Sequence, residues 1–202
     1  AKGIPFFVAA DHVQVRRVGE GEGIPSGDPD QASGAQDPHI WTDPVAMEAV
    51  VLALAPALKE SLGLEVQDRA ASLAARLRDL DREISAQVSA LAPARRRIVT
   101  GHESLGYFAQ RYGFRLVGAL VPSLSSEAET SAAWLSGLKG LMAKAGVDVI
   151  FTEVGTPPRL AQALARETGA RAIPLATHLL PPGGDYAAFE RALAQTILKG
   201  LE

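Results

Sequence analysis

Four histidines, at positions 12, 39, 102 and 178, and no cysteine among 202 residues limit the chemistry this chain can offer. Without thiols there is no disulfide framework, thiolate zinc site, iron–sulfur cluster or Cys nucleophile, so any metal must sit on nitrogen and oxygen. Neutral imidazole is the commonest metal-binding side chain, and zinc accepts His nitrogens together with Asp or Glu oxygens. His39, His102, His178 and Glu153 are the candidate ligands. His39 and His102 each precede an expected helix, whose positive end disfavours imidazolium and keeps a lone pair free to donate. His12, among Asp11, Gln14 and Arg16, reads as a structural residue.

Catalytic patterns are weaker. Gly101-His102-Glu103-Ser104-Leu105-Gly106 puts Ser near His, but such close neighbours do not form a nucleophile and base without other partners. No G-x-S-x-G elbow occurs. His102-Glu103 begins an H-E-x-x-H zinc motif, yet Gly106 stands where the second His belongs, and there is no Walker-type phosphate loop. Glu103 reads as a first-turn helix acid serving the dipole. A zinc-dependent hydrolase is therefore the alternative function, with a metal-free interaction domain as a third. Trp41 and Tyr107 read as packing groups, because 20 Lys+Arg against 23 Asp+Glu, a formal net charge of -3, leave no basic groove for nucleic acid or anionic lipid.

The elements that must position these residues follow from periodicity. The chain is 47% hydrophobic and 21% charged, enough to bury a core. Its longest apolar runs fall short of the roughly 20 residues of a membrane helix. Residues 4–9 read as a lone strand, and Gly19 to Gln36, rich in Gly, Pro and acidic residues, as a mobile loop. Asp43-Pro44 opens a helix ended by Gly63. A longer helix runs from about Val66 to Leu91 on a stripe of Leu73, Leu77, Leu80, Ile84, Val88 and Leu91. At about 1.5 Å per residue it is long enough to brace two lobes.

After Pro93 strands and helices alternate: strands at 97–100, 116–121, 147–152 and 172–175, helices at 104–112, 127–144, 157–168 and 185–198. That pattern predicts an α/β fold with a four-stranded parallel sheet flanked by helices. Ligands of such sheets bind beyond the carboxyl ends of the strands. His102 follows Thr100 by two residues, Glu153 follows Thr152 directly and His178 follows Leu175 by three, so the three converge from separate strands. His39 joins them if its loop folds over the same edge.

Asp37-Pro38-His39-Ile40-Trp41-Thr42-Asp43-Pro44 resembles the D-P-H-x-W-x-D-P motif of the zinc- and manganese-binding substrate-binding proteins of ABC transporters, the ZnuA/TroA-like group. The segment from Gly101-His102 to Tyr112-Gly113 resembles that family's H-x-x-x-G-Y-F-x-x-x-Y-G block, and Ile150-Phe151-Thr152-Glu153 its I-F-x-E strand end. The resemblance implies two α/β lobes joined by a rigid long helix with the metal in the cleft between them. It implies His39 and His102 as the second and third ligands. Where the family usually has an Asp after the last strand, Leu175-Ala176-Thr177-His178 offers none. His178 is the favoured replacement, and Glu153 is either a ligand or a group orienting a histidine.

The resemblance further implies zinc, with manganese as the alternative, held as a transported ligand and handed to a membrane permease. It implies a periplasmic or extracellular protein, in some members anchored as a lipoprotein. Matched to the family, residues 1–43 correspond to the end of an N-terminal lobe, 44–92 to a helical segment with the inter-lobe helix, and 93–202 to a C-terminal α/β lobe. Most of the N-terminal lobe, with the first His ligand, is then missing. This predicts an open coordination position and self-association through the exposed lobe interface.

Overall fold

A computed structural model of the protein describes residues 5–19, 34–124 and 130–202. Among the described residues, six α-helices and four β-strands follow residue 43. Helix α1 (Pro44–Leu62) starts where Asp43 accepts a hydrogen bond from the Val45 N–H at 2.8 Å and ends at Gly63, whose φ of 69° needs no Cβ. Helix α2 (Gln67–Ser89) folds back along α1 and also packs on the last helix. Its buried stripe is Ala70, Ala74, Leu77, Leu80, Ile84 and Val88. Leu73, expected on that stripe, is exposed, and lines an open groove between α1 and α2 with Val51, Leu54 and Leu58.

Strands β1 (Arg97–Thr100), β2 (Arg115–Ala119), β3 (Val149–Thr152) and β4 (Arg171–Pro174) alternate with helices α3 (Gly106–Tyr112), α4 (Ala132–Ala145), α5 (Pro158–Thr168) and α6 (Tyr186–Leu201). The sheet order is β2-β1-β3-β4, and every pairing is parallel. Alternate residues feed opposite layers, as period-2 side-chain geometry requires. Ile98, Val149 and Phe151 pack with Leu80, Ile84, Phe108, Leu193 and Ile197 from α2, α3 and α6. Val99 and Ile150 point the other way, into Leu138, Met142, Ala161 and Leu164 from α4 and α5. The result is the expected α/β sandwich with its sheet buried on both faces.

Three expectations change. Residues 5–8 are not a strand, and Ala9–His12 form a short 3₁₀ turn. Among the described residues of this region the one ladder contact is an isolated antiparallel bridge from Arg17 to Gln36, and none of them pairs with 5–9. Helix α3 begins at Gly106, so Glu103 precedes the helix and is not a first-turn acid. Helix α4 begins at Ala132 after its cap Ser131, while the expected start at 127 lies outside the described residues. Most of the loop expected at 19–36 lies outside them too. No described helix is long and apolar enough to cross a membrane.

Candidate metal centre

The strand order reverses between β1 and β3, so the crevice at their carboxyl ends is where a ligand should sit. His102 lies just beyond β1 and Glu153 just beyond β3. The loop carrying His102 is pinned: Thr100 Oγ1 donates to the His102 carbonyl at 2.6 Å, and the Ser104 N–H donates to it at 2.9 Å. Gly101 permits this close approach, since a Cβ there would overlap Thr156 Oγ1, which itself accepts the Glu153 N–H.

His39 arrives from the other side, immediately before the 3₁₀ turn Ile40–Thr42. It is 3% exposed and His102 2%, whereas His178, on the loop after β4, is exposed. The ring centroids of His39 and His102 are 5.4 Å apart, those of His102 and His178 5.2 Å, and those of His39 and His178 5.9 Å. One ligand atom from each of the three lies within 4.8 Å of the others. His12 is elsewhere, stacked on Phe7 at 4.7 Å.

His39 and His178 each hydrogen-bond the protein through Nδ1, and His102 Nδ1 lies within ion-pair distance of a carboxylate. His39 Nδ1 is 2.8 Å from Asp37 Oδ1, which also accepts the His39 backbone N–H at 3.0 Å. A carboxylate can only accept, so His39 Nδ1 carries the proton and Nε2 the lone pair. Asp37 is held from behind by Arg16, with Nη1 3.1 Å from Oδ2. His102 Nδ1 lies 3.0 Å from Glu153 Oε2. His178 Nδ1 is 2.7 Å from Thr177 Oγ1.

Glu153 does not turn toward the three histidines as a free ligand. Its Oε2 accepts from Ser104 Oγ at 2.5 Å and Thr177 Oγ1 at 3.0 Å, and its Oε1 from the Gly101 N–H at 3.2 Å. Burial pushes this carboxyl upward, but the contact with His102 and the hydroxyls of Ser104 and Thr177 outweigh it and hold Glu153 below the usual carboxylate range. His178 is pushed below the ordinary imidazole range, first by burial and then by His102 and His39, with Glu153 opposing. A neutral imidazole is the form that binds a metal.

The zinc-uptake complex component A periplasmic family, ZnuA, matches residues 2–200 of this chain. The chain belongs to the ZnuA family. It is 31% identical over 170 residues to the high-affinity zinc uptake system protein ZnuA of Paracoccus denitrificans (strain Pd 1222), covering 80% of this chain and 50% of that protein. It is 32% identical over 142 residues to ZnuA of Bacillus subtilis (strain 168), covering 69% of this chain and 43% of that protein. The chain thus spans about half the length of these curated ZnuA relatives. Among solved structures, the laminin binding protein Lmb of Streptococcus agalactiae superposes with a TM-score of 0.79 at 24% identity, covering 97% of this chain and 71% of that one. The periplasmic zinc binding protein TroA from Treponema pallidum gives 0.74 at 22% identity, covering 96% and 70%. These likenesses show a shared fold, and this chain covers 71% and 70% of the two solved chains.

The sequence pointed to the three histidines, and to Glu153 as either a ligand or an orienting group, but not to Asp37, Ser104 or Thr177. Asp37 was signalled by standing two residues before His39 in Asp-Pro-His, a spacing that lets one carboxylate reach both the backbone N–H and the ring. Thr177 and Ser104 gave no such signal, because their roles depend on Glu153 reaching across from another strand. Trp41 packs as expected, and its Nε1 also donates to the Thr177 carbonyl at 2.8 Å.

Proposed function

We propose that this chain is the metal-holding part of a solute-binding protein that captures a divalent cation and delivers it to an ABC transporter permease, with zinc preferred over manganese. The observation that carries the proposal is the cluster of His39, His102 and His178, each with Nδ1 turned to a protein partner. Three imidazoles suit zinc, whereas manganese favours carboxylate, carbonyl and water oxygens. His39, His102 and His178 are the ligands, and Glu153 orients His102 instead of binding the ion.

A tetrahedral zinc with bonds of about 2.1 Å holds its ligand atoms about 3.4 Å apart, so the three side chains draw inward on the ion. His39 and His102 are fixed by burial; His178 is exposed and supplies that movement. Among the described residues no fourth ligand joins the three histidines. Three ligands and an open position also serve zinc hydrolases, but Asp37 and Glu153, the carboxylates beside His39 and His102, commit their oxygens to protein donors and are not placed to activate water. Family membership points the same way, to capture without turnover in a periplasmic or extracellular setting. Exposed Leu179, Leu180 and Val154 give the metal edge an apolar rim of the kind a cleft wall presents.

Calorimetry with zinc and with manganese tests this on the chain and on His39→Ala, His102→Ala and His178→Ala. One zinc per chain, weakened at least tenfold by each substitution and bound more tightly than manganese, is the expected result. Zinc affinity unchanged in both His39→Ala and His102→Ala overturns the site. Equal affinity for the two ions overturns the preference alone.

A further inference from the structure

We propose that Thr177 is a positioning residue that relays the charge of Glu153 to His178 and so fixes the exposed histidine in the tautomer whose Nε2 can bind a metal. Thr177 Oγ1 has one proton and two polar neighbours: Glu153 Oε2 at 3.0 Å and His178 Nδ1 at 2.7 Å. A carboxylate oxygen offers lone pairs only. If the hydroxyl proton pointed at His178, two oxygen lone pairs would face each other at 3.0 Å in a buried setting, since Thr177 is fully buried and the Glu153 side chain is 0% exposed. The proton therefore goes to Glu153. Thr177 Oγ1 is then an acceptor, His178 Nδ1 must donate to it, and the lone pair of the ring is on Nε2.

The arrangement makes Glu153 the organiser of two histidines, His102 by direct contact and His178 through one hydroxyl. Thr177 is clamped at both ends, its hydroxyl by Glu153 and its carbonyl by Trp41 Nε1 at 2.8 Å. The hydroxyl thereby sets which ring nitrogen carries the proton in the last histidine, the one ligand of the three that burial does not hold. The inference rests on the metal-site reading for its purpose, but the proton arrangement itself is a property of the metal-free protein.

The test is the tautomer of His178, read by 15N NMR on the metal-free chain labelled at histidine, at about pH 8 where imidazole is neutral, with the resonance assigned through His178→Gln. Wild type and Thr177→Ser are expected to show Nδ1 protonated and Nε2 bare. Thr177→Val, which keeps the shape and loses the hydroxyl, is expected to lose that preference and to bind zinc about 10–100-fold more weakly. Thr177→Ser is expected to keep zinc affinity within about threefold. A proton on Nε2 of His178 in the wild type overturns the relay without any variant, as does Thr177→Val with wild-type tautomer and affinity. A wild-type spectrum of the expected form in a chain that binds no zinc would uphold the relay and remove the metal reading.

Discussion

The indole Nε1 of Trp41 donates to the carbonyl of Thr177 at 2.8 Å, bridging 136 residues of sequence. Trp41 follows His39 by two residues and Thr177 precedes His178, so this one bond ties the loops of two candidate ligands together. The Trp41 carbonyl is itself held by the Tyr186 hydroxyl at 2.8 Å, which anchors the pair to α6. Trp41→Phe keeps most of the packing and deletes the bond. It is expected to weaken zinc about tenfold while shifting the melting temperature by only a few degrees, since one hydrogen bond contributes about 1 kcal/mol. Titration calorimetry beside a thermal melt checks both.

Asp37 does for His39 what Glu153 does for His102. Replacing it by Asn retains the shape but removes the charge that faces both the His39 ring and Arg16. Loss of such an orienting carboxylate typically costs 10–100-fold in metal affinity, and Arg16 is left facing a neutral amide. Zinc titrations of Asp37→Asn should show that loss together with a lower melting temperature. Wild-type affinity would mean that Asp37 serves the fold alone.

Gly106 admits the Asp37–Arg16 pair to the start of α3. A methyl group there would overlap Asp37 Oδ2 and the Arg16 guanidinium, both fixed by partners. Gly106→Ala is therefore expected to destabilise the chain by about 1–3 kcal/mol, the usual range for overpacking. It should weaken zinc as well, because the displaced carboxylate is the one that holds His39. Gly140, where a Cβ meets nothing, is the control: Gly140→Ala should leave zinc binding unchanged.

Glu190 on α6 is 0% exposed, and burial, with the charge of Asp43 adding to it and Tyr186 opposing, pushes its carboxyl up to about 8. The unfolded chain releases this proton near the ordinary carboxylate value, about 4.3, while the folded chain keeps it until about pH 8. Between those values the folded state binds more protons, so stability falls as pH rises, by up to about 1.4 kcal/mol per pH unit. Glu190→Gln cannot ionise. Denaturant melts of the two proteins from about pH 5 to pH 8 should show the wild type losing ground steadily to the variant, and parallel curves would contradict this.

The elements that position the site were legible where local chemistry dictates them. Asp43-Pro44 and Gly63 bound α1 as expected, and β1 occupies 97–100 because Ile98 and Val99 must face opposite layers. The short segment at 5–9 misled, since an apolar run becomes a strand only when a partner edge is available, and none of the described residues supplies one. Leu73 misled because the helix period alone does not say how closely the neighbouring α1 packs there, and the groove between α1 and α2 stays open at that position. His102 and His178 could be placed at one sheet edge from strand ends alone, and His39 only on condition that its loop folds over that edge. Glu153 was left between ligand and orienting group, because its engagement by Ser104, Thr177 and Gly101 is set by side-chain reach across β1, β3 and the loop after β4.

Zinc K-edge X-ray absorption on the one-to-one zinc complex tests the central claim most directly, because it counts the ligands themselves. The account predicts three imidazoles at about 2.0–2.1 Å with one further light-atom ligand in the open position, and one imidazole fewer in His178→Ala. A coordination shell with fewer than three imidazoles, or one unchanged by His178→Ala, would contradict it.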